Sequence, residues 1–96
     1  MKLIGISRCT DTIHKYTATL ENNKVIHKVH FGAKGYQDYT TTNSDDKKRA
    51  YIARHGVREN WTKSGILTPG FWARWILWNK KTIAQSIADV KERFLL

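Results

Sequence analysis

The chain has little of what secreted, membrane-spanning or cysteine-scaffolded proteins are built on. Of its 96 residues one is cysteine, Cys9, so no intramolecular disulfide can form and cysteine-rich zinc frameworks are excluded. That usage fits a reducing compartment such as cytosol or nucleus. There is one proline, Pro69, and neither an internal repeat nor a low-complexity linker. No apolar run approaches the roughly 18 residues that a helical membrane span needs. The opening MKLIGISRCTD has too short an apolar stretch for a signal peptide, so the expectation is a protein that is not secreted and has no membrane span. Acid is also scarce, with eight Asp and Glu against seventeen Lys and Arg, for a net charge of +9. Such an excess on a short chain calls for an anionic partner: nucleic acid, a membrane surface or an acidic protein. Solubility alone is the plainer explanation. The length predicts one domain with a modest core.

The patterning predicts an α+β fold, with a small antiparallel three-stranded meander at the N-terminus packed against two or three C-terminal helices. The strands are expected within about residues 2–32. In KLIGISR, Leu3, Gly5 and Ser7 alternate with Ile4 and Ile6. In HKYTATL, Tyr16, Ala18 and Leu20 share a face, and in KVIHKVHF Val25, Val29 and Phe31 do, with His27 among them. Asn22 and Asn23 tolerate the positive φ of a tight hairpin turn. Gly32 and Gly35 then punctuate a turn that lets the chain cross the sheet.

Helices are expected at about 44–55, 68–78 and 82–94. Asn43 or Ser44 can cap the first, with Asp45 and Asp46 in its first turn and Arg54 and His55 in its last, matching the helix dipole. Thr68 caps the second with Pro69 at its first position. Thr82 caps the third, where Gln85 would complete a capping box, and Ile83, Ile87, Val90 and Phe94 form a stripe. The segment VRENWTKSGIL between the first two is expected to be an ordered loop pinned by Trp61.

The second helix carries Phe71, Trp72, Trp75 and Trp78 within eight residues. At ordinary helical spacing Phe71, Trp72, Trp75 and Ile76 share one face, Trp78 flanks it, and Leu77 lies opposite. So wide an apolar arc reads as core, with Trp75 the most buried indole. Trp72 and Trp78 are the candidates for a partly exposed interface anchor.

The blocks FGAKGYQDYT, RAYIARHG and GILTPGFWARWILWNKKTIAQSIADVKERF, from about Phe31 to Phe94, carry a resemblance. In order and spacing they resemble a family of small basic proteins encoded by large nucleocytoplasmic DNA viruses of algae and amoebae. The N-terminal strands do not contribute to it. That family lends no catalytic residues. The resemblance implies a viral setting, with the protein in the virion or in the infected host cell's cytoplasm or nucleus.

Lys47 to Lys63 is the most basic segment. Lys47, Lys48, Arg49, Arg54, Arg58 and Lys63 stand against Glu59, interleaved with Tyr51 and Trp61. Cations beside aromatics suit phosphate contacts plus base stacking. A solvated helix face with Tyr51 and Ile52 turned inward is the structural alternative.

Asp38, Arg54 and His55 form the one constellation that would serve a nuclease or phosphotransfer site, but the favoured reading is a structural cluster, an ion pair beside a buried, hydrogen-bonded tyrosine. His27 and His30 point to opposite faces of a strand and His14 is isolated, so no metal and no cofactor is assigned. Cys9 reads as a buried or half-buried, inert thiol. FGAKG lacks what a phosphate-binding loop requires after its glycines.

Three functions fit. The first, which the charge favours, is a nucleic-acid-binding protein using phosphate contacts without strong sequence preference. The second is a virion structural or scaffold protein that docks on viral structural proteins. The third is an enzyme acting on nucleic acid, for which nothing speaks beyond that one constellation.

Overall fold

In the computed structural model, which describes residues 1–96, the chain forms the expected α+β fold. Strands β1 (Lys2–Arg8), β2 (His14–Asn22) and β3 (Val25–Ala33) make one antiparallel sheet in sequence order. Helices α1 (Tyr39–Thr42), α2 (Asp45–His55), α3 (Pro69–Trp72) and α4 (Ile83–Phe94) follow. A 3₁₀ turn at Lys63–Gly65 precedes α3, and α3 runs directly into a π-helical segment, Ala73–Leu77. The core joins Leu3, Ala18, Leu20, Val29 and Phe31 of the sheet to Ile66, Phe71, Trp72, Ile76, Leu77 and Val90. No helix is long and apolar enough to cross a membrane.

The strand patterns hold with two local departures. Leu3 pairs with Leu20 but Gly5 with Thr19, so a bulge extrudes Ile4, which is 51% exposed. Beyond the bulge the inward face switches, and Ile6, not Gly5, packs against the core. The β2–β3 turn is made by Asn23 (φ 50°) and Lys24 (φ 67°), one residue later than expected, because Asn22 still pairs with Val25. Two successive left-handed residues match the right-handed twist of a hairpin, here at the cost of placing a lysine at positive φ. Gly32 also has positive φ, 75°, and a Cβ there would lie 2.7 Å from Leu77 Cδ1, so the sheet approaches the aromatic helix at this point.

The helix caps follow the sequence closely. Ser44 Oγ accepts from the Lys47 N–H, Thr68 Oγ1 from the Phe71 N–H, and Thr82 Oγ1 from the Gln85 N–H. The box at Thr82 stays half-formed, since Gln85 does not bond back. A complete capping box forms instead at Asp38 and Thr41, closing the four-residue α1 in what the sequence presented as a loop.

The aromatic helix corrects the expected faces. The Trp78 N–H bonds the Ala73 carbonyl, five residues back, at 3.1 Å. This wider π turn replaces the four-residue helical step with a five-residue one. The fully buried pairs become Phe71 with Ile76 and Trp72 with Leu77. Leu77, expected outside, is 2% exposed, and Trp72 is 0% exposed. Trp72, not Trp75, is therefore the most buried indole, and it is no interface anchor. Its Nε1–H donates to the Ile66 carbonyl at 2.6 Å, so the polar edge of the ring is satisfied inside the core. Trp75 is half-buried, covered by Arg74 and Arg93, whose guanidinium carbons lie 4.4 and 4.5 Å from its ring centre.

Candidate functional site

Two polar features stand out, a cavity at the end of α2 and a depression at the start of α4. The cavity, about 370 Å³, opens between the end of β3, the Tyr36–Asp38 loop, the last turn of α2 and the start of α3. Leu77, Tyr51 and Trp78 make its apolar wall, and Lys15, Asp38, Arg54, His55 and Glu59 its polar one. The sequence constellation Asp38, Arg54 and His55 thus lines one cavity. It does not form the expected cluster, because Asp38 and His55 are committed to other partners and Arg54 pairs with neither.

Asp38 is 2% exposed and is tied to Lys15, whose Nζ lies 2.7 Å from its Oδ2. Its Oδ1 accepts from the Thr40 N–H and hydroxyl at 2.9 and 2.5 Å, which is the capping duty for α1. His55 Nδ1 contacts Glu59 Oε1 at 3.0 Å, while Arg54 has no ion-pair partner. The lining contains no serine, threonine or cysteine. Glu59, the one acid between Lys47 and Lys63, is the organising residue. Its other oxygen accepts from Trp61 Nε1–H at 2.9 Å, and a Cβ at Gly70 would lie 2.6 Å from that oxygen. Gly70 therefore lets the start of α3 close against Glu59, joining the end of α2, the loop and the aromatic helix.

Tyr51 is not available as a base-stacking platform. It is 6% exposed and stacks on His55 (ring centres 4.3 Å) and Trp78 (4.5 Å, 6° between planes), with Trp61 at 6.1 Å. Burial raises its phenol pKa, and the Glu59 carboxylate adds to the rise. Trp61 is half-buried in the same assembly, with Arg74 5.5 Å from its ring centre. The aromatic–basic interleaving of the sequence is thus mostly architecture.

The basic candidates disperse. Arg49 pairs with Asp46 on the solvent face of α2, and Lys47 Nζ donates to Gln37 Oε1 at 3.0 Å. Arg58 and Lys63 are exposed with no side-chain partner. Lys48 turns the other way, donating from Nζ to the Asn79 carbonyl at 2.6 Å and lying 4.8 Å from the Tyr39 ring centre.

There Lys48 joins Lys80 and Lys81, which the sequence reading passed over, around a depression of about 520 Å³ that Tyr39, Asn79, Gln85 and Ala88 complete. No carboxylate lines it. It lies beside the start of α4, where the positive end of the helix dipole favours an anion. Partial burial, then the charges of Arg74 and Lys80, lowers the Lys48 pKa. Asp45 is close enough to offset part of this field, and the Tyr39 hydroxyl donates to it at 2.6 Å. The sequence signal was the pair KK directly before the Thr82 cap, a placement that puts two cations at a helix start.

His14 is not isolated. The β1–β2 connection brings it to Asp11, with Nδ1 2.8 Å from Oδ2, and its ring centre lies 5.8 Å from that of His30.

The chain matches a family of unknown function over residues 5–55, more than half its length. It belongs to DUF5754. The match covers most of β1 together with β2, β3, α1 and α2, so the N-terminal strands carry likeness to this family. Within DUF5754's matched span lie Asp38, Lys48 and His55, whereas Lys80, Lys81 and the aromatic helix lie beyond it. No curated protein matches the chain, and neither does any solved structure.

Proposed function

We propose that this protein binds nucleic acid through phosphate contacts without strong sequence preference. The observation that carries the reading is the carboxylate-free depression where Lys48, Lys80 and Lys81 converge beside the start of α4. A backbone phosphate seated there meets up to three ammonium groups beside the positive end of α4. The wider surface supports it, since of the seventeen Lys and Arg only Lys15, Arg49 and Arg93 are ion-paired to carboxylates. Unpaired cations displace counterions from a polyanion, which is the main source of non-specific affinity. The viral setting implied by the resemblance from Phe31 to Phe94 belongs to this proposal: a virion or an infected cell offers the protein a large excess of nucleic acid.

The test is fluorescence anisotropy with labelled duplex and single-stranded oligonucleotides across a salt series. If about three phosphates are engaged, affinity falls by roughly tenfold or more between about 50 and 200 mM salt. Lys80→Gln with Lys81→Gln, both at exposed positions, flattens the slope more than Arg58→Gln with Lys63→Gln does. Binding indifferent to salt, or no binding at the low-salt end, overturns the proposal.

A further inference from the structure

The connection between β1 and β2 gathers three metal-ligating side chains of different chemistry. One ligand atom each from Cys9, Asp11 and His14 lies within 4.8 Å of the other two. We propose that Cys9, Asp11 and His14 bind a divalent transition metal, with zinc(II) as the ion the donor set fits best. Thiolate sulfur, imidazole nitrogen and carboxylate oxygen are the three donor types zinc takes. With bonds of about 2.0–2.3 Å, tetrahedral ligand atoms sit roughly 3.3–3.8 Å apart. The side chains need shift by no more than about an ångström to meet a common ion.

The loop is already held in place. The Cys9 N–H donates to the Lys15 carbonyl at 3.0 Å, and the Lys34 N–H to the Ile13 carbonyl at 2.9 Å. Lys34 Nζ donates to the Asp11 carbonyl. All three ligands come from one six-residue stretch, CTDTIH, so assembling them costs little loop entropy. Asp11 Oδ1 accepts from the N–H groups of Ile13 and His14 at 2.8 and 2.6 Å. These bonds hold the carboxylate in place and leave Oδ2 to face the imidazole.

A metal would sit where His14 Nδ1 and Asp11 Oδ2 now meet at 2.8 Å. Cys9 sits at the back, 8% exposed, while the His14 and Asp11 side chains are 33% and 40% exposed and give the ion its entry. Behind the sulfur, His30 Nδ1 lies 3.5 Å from Sγ and 2.8 Å from the Thr17 hydroxyl. Arg8, Lys15 and Lys34 share a depression with Cys9, and their charge opposes a cation but favours an anionic or hydroxide fourth ligand.

The test is a cobalt(II) titration of the tag-free protein, read by absorption, followed by zinc back-titration. One equivalent of cobalt should give a thiolate-to-cobalt charge-transfer band with the intense visible bands of tetrahedral coordination. Zinc should abolish both and raise the melting temperature. Cys9→Ser removes the charge-transfer band. His14→Gln, at a half-exposed position where folding is not at risk, weakens cobalt binding by more than the roughly 10–100-fold that loss of an outer partner costs. His27→Gln, away from the cluster, changes nothing. No charge-transfer band on the folded parent at saturating cobalt, or equal cobalt affinity for His14→Gln and His27→Gln, overturns the proposal.

Discussion

Two attachments in this molecule are made in different ways. The aromatic helix, α3 with its π extension, buries Phe71, Trp72, Ile76 and Leu77 and contacts the sheet at Phe31 and Gly32. Helix α2, nearly three times the length of α3, buries one residue, Tyr51. It is held by that ring in a stack with His55, Trp61 and Trp78, and by polar clips: Lys48 to the Asn79 carbonyl, Lys47 to Gln37, and the Ser44 cap. The first mode removes large apolar area from water and specifies the fold. The second leaves most of the α2 surface charged and wet, with the cavity under one end and the lysine depression beside the other. Stability and surface chemistry are thereby assigned to different helices.

Breaking the first attachment should have the largest effect. Trp72→Ala removes a fully buried indole and strands the Ile66 carbonyl, and should cost about 3–5 kcal/mol, a large share of the stability of a domain this size. Trp75→Ala, at a half-buried ring covered by two guanidinium groups, should cost about half as much or less. Urea unfolding monitored by circular dichroism ranks them. Equal losses, or a greater one at Trp75, would mean that the π turn does not set the buried face.

The second attachment should break locally. Tyr51→Ala deletes the ring that α2 inserts between His55 and Trp78, at an expected cost of about 2–3 kcal/mol. The aromatic helix and sheet keep their own core, so hydrogen exchange should accelerate across 45–55 well before it does in β2 and β3. Uniform acceleration through the chain would show that α2 is as integral to the core as the aromatic helix.

Most of the fold was legible because local chemistry fixes it. Alternation marks β2 and β3, and Ser44, Thr68 and Thr82 are caps whose side-chain bonds form as read. What failed to show depends on geometry with no local signature. A bulge at Ile4 and a π turn over Ala73–Leu77 each insert one residue into a period, and everything read from that period afterwards falls on the wrong face. The site was legible to a lesser degree. Asp38 was picked out, but its partner Lys15 is 23 residues away, across a crossover that no sequence spacing encodes. Lys48 was found while Lys80 and Lys81 were not, because the depression is assembled by folding α2 onto the start of α4. His14 looked isolated because a hairpin connection, not a periodic element, brings it to Asp11 and Cys9.

A smaller effect sharpens the comparison by titration. Tyr51 is half of what attaches α2, and its phenol is held neutral in the fold. Burial raises its pKa above the ordinary 10.0, the Glu59 carboxylate raises it further, and Arg74 partly opposes both. In the unfolded chain the phenol ionises near its usual value. Below that pH both states hold the proton and the group adds no pH dependence. Above it the unfolded state releases a proton that the folded state retains, so stability falls with a slope of at most about 1.4 kcal/mol per pH unit from this group. Tyr39 is raised as well, chiefly by its bond to the Asp45 carboxylate, and lysines titrate in the same range, so the parent's total slope does not isolate Tyr51. The difference between the parent and Tyr51→Phe does. Phenylalanine keeps the stack on His55 and Trp78 and should leave stability at pH 7 within about 0.5 kcal/mol of the parent. Between about pH 10 and 11 the variant should lose stability more slowly, by up to one proton's worth of slope. Parallel urea midpoints for the two proteins across that range would mean that the phenol of Tyr51 ionises freely in the folded state, and that α2 is held by its polar clips alone.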